Sequence, residues 1–248
     1  NHIWEKTLIS RSVRKEKCTV LLNYPDPSIF YKRPQTRKNN RFIILYPGTL
    51  NHHQGVDIAI EALASIKEQI DRVEFHIYGK GTDKKYLEDR TAIVIDDMID
   101  TFGTIDKATE TLKKKGAKDL IVAATHGILS LEQVAEVMAN SDLGVVPKRA
   151  NSFGNEAFST KTFEFMALGI PLIISDTKID KFYFNDSLVK FFHSGDEKDL
   201  AESVLLMIKD QDLRNRLIGN SLKYIEENNW DVKKNIYLDL VDSLCKDS

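Results

Sequence analysis

Short continuous apolar runs alternate with longer segments whose apolar residues recur every three or four positions. Runs of this kind are typical of strands buried on both faces, and the recurring segments of helices that cover them. Three such runs are FIILYPG (42–48), VEFHIYGKG (73–81) and LGVVPK (143–148). One face of the helix predicted between the first two runs carries Val56, Ile60, Leu63, Ile66 and Ile70. The alternation predicts an α/β fold, a Rossmann-like doubly wound parallel sheet with helices on both faces in three layers.

The same alternation continues to the end of the chain. VKFFHSGD (189–196) is predicted to contain a strand, and Asp196 to cap the helix that follows. A second helix is predicted over about 212–227. The last helix is amphipathic, with one apolar face formed by Val232, Ile236, Leu240 and Leu244. Ligands of such a sheet lie at the carboxyl ends of its strands where the strand order reverses, and three loops are expected to meet there: 48–55, 79–82 and 147–160.

The stretch FGNEAFSTKTFEFMALGIPLIISD (153–176) predicts a polar loop, a short helix over about 160–168, and a buried strand. Gly169 stands where a left-handed residue would end the helix, and Pro171 prevents its continuation. The first turn therefore exposes the backbone N–H groups of Ser159, Thr160 and Lys161, with the Lys161 ammonium added. Free amides at a helix N-terminus favour the binding of an anion such as a diphosphate.

Two carboxylates bracket this turn, Glu156 before it and Glu164 within it. They suit sugar hydroxyls, so the set describes a nucleotide-sugar, although two solvated glutamates on an ordinary helix explain the spacing equally well. The phrase EAFSTKTFEFMALGIPLIIS resembles the E-x7-E region of the family 4 retaining glycosyltransferases, which have the two-domain GT-B fold.

The resemblance implies transfer of a sugar from a nucleoside diphosphate donor of UDP or GDP type, with retention and with no obligatory metal or cofactor. Glu156 would bind the donor sugar and Glu164 the ribose, the two residues expected to be catalytic. Fixed donors would stabilise the leaving diphosphate. The expected diphosphate-binding residues are Gly48, Thr49, Lys148, Ser159, Thr160 and Lys161.

Two departures from the family pattern weaken the catalytic interpretation. The family often has Arg directly after the first glycine and Lys before the next one, where this chain has Thr49 and Gln54. Lys148 and Arg149 could replace the two cations, or they could be solvated loop residues.

Residues 91–130 contain a complete strand, loop, helix and strand of a different type. The strands are predicted at 93–95 and 120–124, and the phrases DDMIDTFGT and ATHG resemble ribose-phosphate pyrophosphokinase. In that family the loop binds a phosphate, but Phe102 replaces a small residue and would crowd it. The resemblance assigns the doubtful phosphate loop to Asp96, Asp97, Asp100, Thr101, Gly103 and Thr104.

The chain thus divides into three parts: an interdomain linker at 1–40 with one short strand within 16–30, a nucleotide-sugar-binding domain at 41–90 and 131–248, and the inserted fragment at 91–130. We expect a chimera, more in keeping with engineering than with nature, that has an extra βα unit and lacks the N-terminal acceptor domain of the glycosyltransferases. An added edge strand or the apolar stripe of the last helix would favour self-association.

Composition excludes several classes of function. A net charge of −2 gives no sign of a nucleic-acid partner, and no apolar run approaches the length of a membrane span. Cys18 and Cys245 lie far apart without metal-ligand spacing, as expected of a reduced cytoplasmic protein. Three functions remain open: a glycosyltransferase donor domain that is inactive alone, a fold chimera without activity, and a ribose-phosphate binding module.

Overall fold

The computed structural model describes residues 1–38, 40–83, 93–96, 121–124 and 130–246. The described strands form one seven-stranded sheet in which every pair is parallel, with the order β3-β4-β2-β1-β5-β6-β7. The strands are β1 (Phe42–Pro47), β2 (Val73–Tyr78), β3 (Ile93–Asp96), β4 (Ile121–Ala124), β5 (Leu143–Val146), β6 (Leu172–Ser175) and β7 (Lys190–Phe192). The predicted doubly wound parallel sheet is therefore confirmed.

Helices follow the strands and cover both faces of the sheet. The α-helices that the structure describes are α1 (His2–Ser10), α2 (Val56–Ser65), α3 (Leu131–Ala139), α4 (Thr160–Leu168), α5 (Lys178–Tyr183), α6 (Glu197–Lys209), α7 (Gln211–Glu226) and α8 (Trp230–Lys246). One apolar core contains side chains of α2 and α6, and the other contains those of α3, α4 and the end of α7. Single-turn 3-10 helices lie at Lys15–Lys17, His52–Gln54 and Lys67–Gln69.

The strand order reverses between β1 and β5, which are hydrogen-bonded neighbours. From β1 the chain adds strands on one side through β2, and on the other side through β5, β6 and β7. A crevice at the carboxyl ends of the strands is the usual ligand site at such a reversal. The loops after β1 and β5, at 48–55 and 147–159, begin at this point of the sheet.

The strands of the pyrophosphokinase-like segment extend the same sheet. β4 pairs with β2, and β3 pairs with β4 as the terminal strand of that side. The added strand therefore lies at the sheet edge within the one chain. The helix predicted between β3 and β4, and the phosphate loop apart from Asp96, lie outside the described residues.

The N-terminal segment differs from its prediction. Residues 2–10 form helix α1, with Asn1 as its N-cap, and the strand expected within 16–30 is absent from the described structure. A strand needs a neighbour to pair with, and this segment instead lies across helices: Tyr24 stacks on Phe163 at 5.7 Å, and Trp230 N donates to Pro25 O at 3.0 Å. The segment therefore packs as an irregular strap.

Helix α8 leaves a row of apolar side chains in solvent. The exposed ones are Trp230, Val232, Ile236, Tyr237, Leu238, Val241 and Leu244. Among the described residues, neither α8 nor any other helix combines the length and apolarity that a bilayer span requires.

Candidate functional site

Helix α4 begins and ends as its sequence predicts. Ser159 is the N-cap residue in an extended conformation, and Gly169 ends the helix in the left-handed region at φ 71°. Phe163 and Met166 are fully buried in the core between the sheet and α7. This packing fixes the helix so that its N-terminus faces the carboxyl edge of the sheet.

The first turn of α4 presents polar groups that the described part of the chain does not satisfy. Hydrogen bonds are recorded for Thr162 N, which donates to Ser159 O, but none for the amides of Ser159, Thr160 and Lys161. The Ser159 hydroxyl is buried, with the residue 8% exposed, and it has no hydrogen-bond partner; the same holds for the Thr162 hydroxyl. Buried polar groups are nearly always paired, so an unpaired hydroxyl beside three free amides indicates space for a ligand.

Lys161 extends from this turn over the start of the loop after β1. A Cβ atom on Gly48 would lie 2.5 Å from Lys161 Nζ, so the ammonium occupies the space that a side chain would take. The same ammonium lies 5.3 Å from the ring centroid of Tyr46, a cation–π distance. The Tyr46 hydroxyl donates to Thr49 O at 2.7 Å and thereby fixes the loop below the ammonium.

Burial shifts the pKa values of two charged side chains in this part of α4, Lys161 and Glu164. Burial lowers the pKa of the Lys161 ammonium to about 8; Glu164 opposes this shift, and the nearby Lys148 adds to it. Burial raises the pKa of the Glu164 carboxyl, and Lys161 opposes that shift. Both groups lie on one face of α4, three residues apart. A desolvated cation and a desolvated carboxylate side by side are typical of a ligand-binding site.

The loops after β1 and β2 lie against each other with no room for side chains. A Cβ on Gly79 would meet Gly48 O at 1.7 Å, and one on Gly81 would meet Leu50 O at 1.9 Å. Gly48 N donates to Tyr78 O and Leu50 N to Lys80 O, at 2.7 and 2.9 Å. Together with the loop after β5, they form the three-loop meeting point that the sequence predicts.

The structure assigns Lys148 to the interior and not to a phosphate. Its ammonium lies 2.9 Å from Asp180 Oδ2, donates to Ala157 O at 2.9 Å, and is 3.5 Å from Gly154 O. Both side chains of the ion pair are almost completely buried. The three donors of the ammonium are thus taken up by the protein, which corrects the expectation that Lys148 binds the diphosphate.

Arg149 is engaged in a similar way. Its guanidinium forms a two-pronged ion pair with Asp57 at 2.9 and 2.8 Å and donates to His52 O at 2.7 Å. The pair lowers the pKa of the Asp57 carboxyl against the opposing effect of burial. Arg149 therefore connects the loop after β5 to α2, and it does not replace the cation that the family pattern has at Thr49 or Gln54.

The remaining predicted residues lie near α4. Thr49 is exposed, and Glu156 is half-buried in the loop that leads into the helix. The backbone of Glu156 is held at both ends: its N–H donates to Phe153 O at 3.1 Å, and its carbonyl accepts from Asn1 Nδ2 at 2.8 Å. The structure thus brings Gly48, Lys161 and Glu164 together and places the Glu156 loop at the entrance of α4.

Of the residues assigned to the pyrophosphokinase-like phosphate loop, the structure describes Asp96. Asp96 ends β3 at the far side of the sheet, and Asp97, Asp100, Thr101, Gly103 and Thr104 lie outside the described residues. Within the described ranges, no three His, Cys, Asp or Glu side chains are grouped as metal ligands.

Several residues of the site have no clear signal in the sequence. Tyr46 reads as an ordinary strand residue, and Asp180 as a solvated helix residue. Asn51 carries a buried side-chain oxygen without a partner in the loop after β1. The position of Lys148 directly after a continuous apolar run is the one sequence signal for the buried ion pair. A buried lysine is nearly always paired with a carboxylate.

Two family models match the chain, in overlapping parts. Residues 28–126 match "Glycosyl transferases group 1", and residues 85–193 match "Phosphoribosyl synthetase-associated domain". Ribose-phosphate pyrophosphokinase of Mycobacterium leprae is 57% identical over 44 residues, and that of Staphylococcus saprophyticus is 59% identical over 44 residues. Each match covers 18% of this chain, and the chain spans only 14% of the length of either enzyme.

The fold matches solved glycosyltransferase structures at low sequence identity. Anabaena HepE in complex with UDP has a TM-score of 0.69 at 16% identity, with 98% of this chain and 61% of HepE covered. Sucrose-phosphate synthase from Thermosynechococcus elongatus has a TM-score of 0.67 at 19% identity, with 98% and 57% covered. The C-terminal domain of a group 1 family glycosyl transferase from Francisella tularensis has a TM-score of 0.56 at 15% identity, with 86% and 97% covered.

The fold is that of a GT-B glycosyltransferase domain. One part of the chain matches the glycosyl transferases group 1 model, and a 44-residue segment is similar to ribose-phosphate pyrophosphokinase.

Proposed function

We propose that this chain is the donor-binding domain of a glycosyltransferase that takes a sugar from a nucleoside diphosphate, with retention of configuration. The observation that carries the proposal is the Lys161 ammonium, held over Gly48 beside the unsatisfied first turn of α4. A cation, free amides and an unpaired hydroxyl converge at the switch point of a parallel sheet. The neighbour HepE, whose structure contains UDP, supports the choice of nucleotide.

Each residue has a distinct task in the proposed site. The amides of Ser159, Thr160 and Lys161 bind the diphosphate together with the Lys161 ammonium, and stabilise the charge that develops as the sugar leaves. Glu164 accepts hydrogen bonds from the ribose. Its carboxylate lies next to Lys161 on the same face of α4, which places it beside the proposed diphosphate position. Glu156 contacts the donor sugar from the loop that leads into the helix. Gly48 admits the ammonium, and the absence of its side chain keeps the phosphate position open.

The proposed activity requires a second domain that binds the acceptor. This chain covers 61% of HepE and 57% of sucrose-phosphate synthase, so those proteins have further structure. The exposed apolar row on α8 is a suitable contact surface for such a domain. Self-association through α8 or through the edge strand β3 is the alternative use of these surfaces. Both cysteines are free, in keeping with a cytoplasmic location.

A thermal-shift experiment tests the proposal directly. We expect UDP or UDP-glucose to raise the melting temperature of the wild-type chain, with GDP and GDP-mannose as alternatives. Glu164→Ala is expected to remove most of the shift, because the ribose loses its acceptor. Glu202→Ala, which changes an exposed glutamate on α6, is the matched control and is expected to retain the full response. Silence from all four ligands would contradict the proposal.

The pyrophosphokinase-like segment supports a second candidate. Its identity of 57% over 44 residues is high enough to suggest that a ribose-phosphate site was transferred with it. A response to ribose 5-phosphate with Mg²⁺ that is lost in Asp100→Ala would favour this candidate. Failure of every nucleotide and of ribose 5-phosphate would favour a chimera joined for its fold alone.

A further inference from the structure

The loops after β1 and β5 are joined at their rim by His53. Its backbone carbonyl accepts from Arg149 N at 3.0 Å, and its ring Nδ1 lies 2.7 Å from Asn151 Nδ2. Asn151 belongs to the loop that carries Glu156, so the ring is attached to the segment proposed to contact the donor sugar. His53 itself is exposed at the carboxyl edge of the sheet.

The hydrogen bonds of Asn151 determine which nitrogen of His53 carries the proton. Gly154 N donates to Asn151 Oδ1 at 2.8 Å, which fixes the oxygen of the amide and therefore its NH₂ group. That NH₂ group faces His53 Nδ1 and can only donate, so Nδ1 must be the acceptor. In this arrangement Nδ1 carries no proton and the ring N–H is on Nε2, which makes no hydrogen bond to the described residues.

An exposed aromatic ring lies beside the His53 ring. The ring of Phe153 is 5.7 Å from that of His53, at an interplanar angle of 46°, and Phe153 is 54% exposed. Phe153 lies three residues before Glu156 in the same loop. Its backbone carbonyl accepts hydrogen bonds from the N–H groups of Glu156 and Ala157 at 3.1 and 2.8 Å. A large aromatic side chain in solvent next to an oriented donor is an arrangement that binds a ligand with one apolar face and polar edges.

We propose that His53 and Phe153 form a subsite for the sugar ring of the donor. His53 Nε2–H donates to a sugar hydroxyl, and Phe153 covers the apolar face of the ring. Asn151 is a positioning residue, since it fixes the tautomer that makes Nε2 a donor. The inference rests on the proposed donor-binding function and adds to it residues that the E-x7-E pattern does not contain.

Calorimetric titration with UDP and UDP-glucose tests the subsite. The quantity of interest is the ratio of the two dissociation constants, because it isolates the contribution of the sugar. In His53→Ala and in Phe153→Ala we expect the affinity for UDP-glucose relative to UDP to fall about 3- to 10-fold, the worth of one hydrogen bond or aromatic contact. The dissociation constant of UDP alone is expected to stay within about twofold.

His52→Ala is the matched control. His52 is an exposed histidine in the same turn whose ring contacts only the ring of His53, at 6.5 Å, in the described structure. We expect it to leave the ratio unchanged. An unchanged ratio in both His53→Ala and Phe153→Ala would overturn the subsite while leaving the donor site intact. Failure of wild type to bind either ligand would overturn the donor site and the subsite together.

The tautomer is tested without any ligand. Long-range proton–nitrogen correlation spectra distinguish the protonated from the unprotonated ring nitrogen of each histidine. At pH 8 we expect His53 to show a protonated Nε2 and an unprotonated Nδ1, and Asn151→Ala to show a mixture of the two tautomers. Asn151→Ala should also lower the affinity for UDP-glucose relative to UDP, although Asn151 is not proposed to contact the sugar. A wild-type signal with the proton on Nδ1 would contradict the assignment.

Discussion

The ammonium of Lys161 occupies the space beside Gly48 in which a side chain of residue 48 would begin. A Cβ there would come within 2.5 Å of Lys161 Nζ and within 3.2 Å of the Tyr46 hydroxyl. A glycine in the loop after β1 and a lysine on α4 are therefore one unit of the site, although 113 positions separate them in the sequence. The glycine leaves room for the cation, and Tyr46 supports it from below.

Gly48→Ala is therefore expected to weaken nucleotide binding, and also to cost some stability because Gly48 has a φ of 157°, which L residues rarely adopt. The added methyl group meets the flexible end of Lys161, which can move away, but the ammonium then leaves the diphosphate position. We expect the dissociation constant for UDP to rise roughly tenfold, equivalent to about 1.4 kcal/mol. Calorimetric titration measures the binding, and circular dichroism confirms that the variant is folded.

Gly79→Ala provides the contrast, because a Cβ at that position would lie 1.7 Å from the backbone oxygen of Gly48. Backbone cannot move as a side chain can, so this variant should lose stability as well as binding. A Gly48→Ala variant that is folded and binds UDP with wild-type affinity would contradict the proposed relationship between Gly48 and Lys161.

Binding of UDP should depend on pH through Lys161. Burial lowers the pKa of this ammonium from 10.5 to about 8, so the free site loses its positive charge as the pH rises through that value. We expect UDP affinity to be highest below pH 8 and to fall above it. Lys161→Ala should bind UDP roughly 10- to 100-fold more weakly and should lose this pH dependence.

Lys223→Ala, an exposed lysine on α7, is the control and should keep both the affinity and the pH profile. The stability of the ligand-free chain depends on pH in the opposite direction to the affinity for UDP. Between about pH 8 and 10.5 the unfolded chain retains a proton on Lys161 that the folded chain has lost, so this residue makes stability rise with pH over that window. A flat affinity profile for wild type would argue against a role of Lys161 in binding.

The buried ion pair of Lys148 and Asp180 should matter for stability because removing one partner leaves the other charge buried and unpaired. Asp180→Ala would leave the Lys148 ammonium buried with backbone carbonyls alone, and we expect a loss of about 3–5 kcal/mol in the free energy of unfolding. The double variant Lys148→Met with Asp180→Leu should recover much of this loss, because no charge then remains buried. Urea denaturation of the single and double variants measures the difference, and additive losses would show that the two residues act independently.

Gly219 offers a stabilising substitution away from the site. It lies in the interior of α7, and a Cβ there would meet no atom within 4 Å. Gly219→Ala is expected to raise the free energy of unfolding by about 0.5–1 kcal/mol, because alanine loses less backbone entropy in a helix. The melting temperature should rise by about 2 °C, with unchanged UDP affinity. A decrease in the melting temperature would contradict this expectation.

Local patterns predicted the elements well where sequence and packing agree. The bounds of α4 and its glycine cap, the Asp196 cap of α6 and the alternation of strands and helices in the described part of the chain after residue 41 follow from periodicity and capping rules. The switch point followed from the parallel topology. These features depend on residues close together in the sequence.

The partners of the charged side chains could not be predicted in this way. The sequence makes Lys148 and Arg149 candidate phosphate ligands, yet they bind Asp180 and Asp57, which lie 32 and 92 positions away. The N-terminal segment shows the same difficulty, because residues 16–30 have strand-like composition but no strand beside them. Long-range contacts decided these cases, and a single sequence does not contain them.

The order of the strands also sets the distance between the edge of the sheet at β3 and the proposed site at the end of β1. β4 and β2 lie between β3 and β1, so the outermost strand β3 is three strand spacings, about 14 Å, from the strand that precedes Gly48. A change at this margin of the sheet is therefore separated from the crevice between β1 and β5 by two intervening strands. Such a margin offers protein engineers a place to attach new segments without rebuilding the pocket.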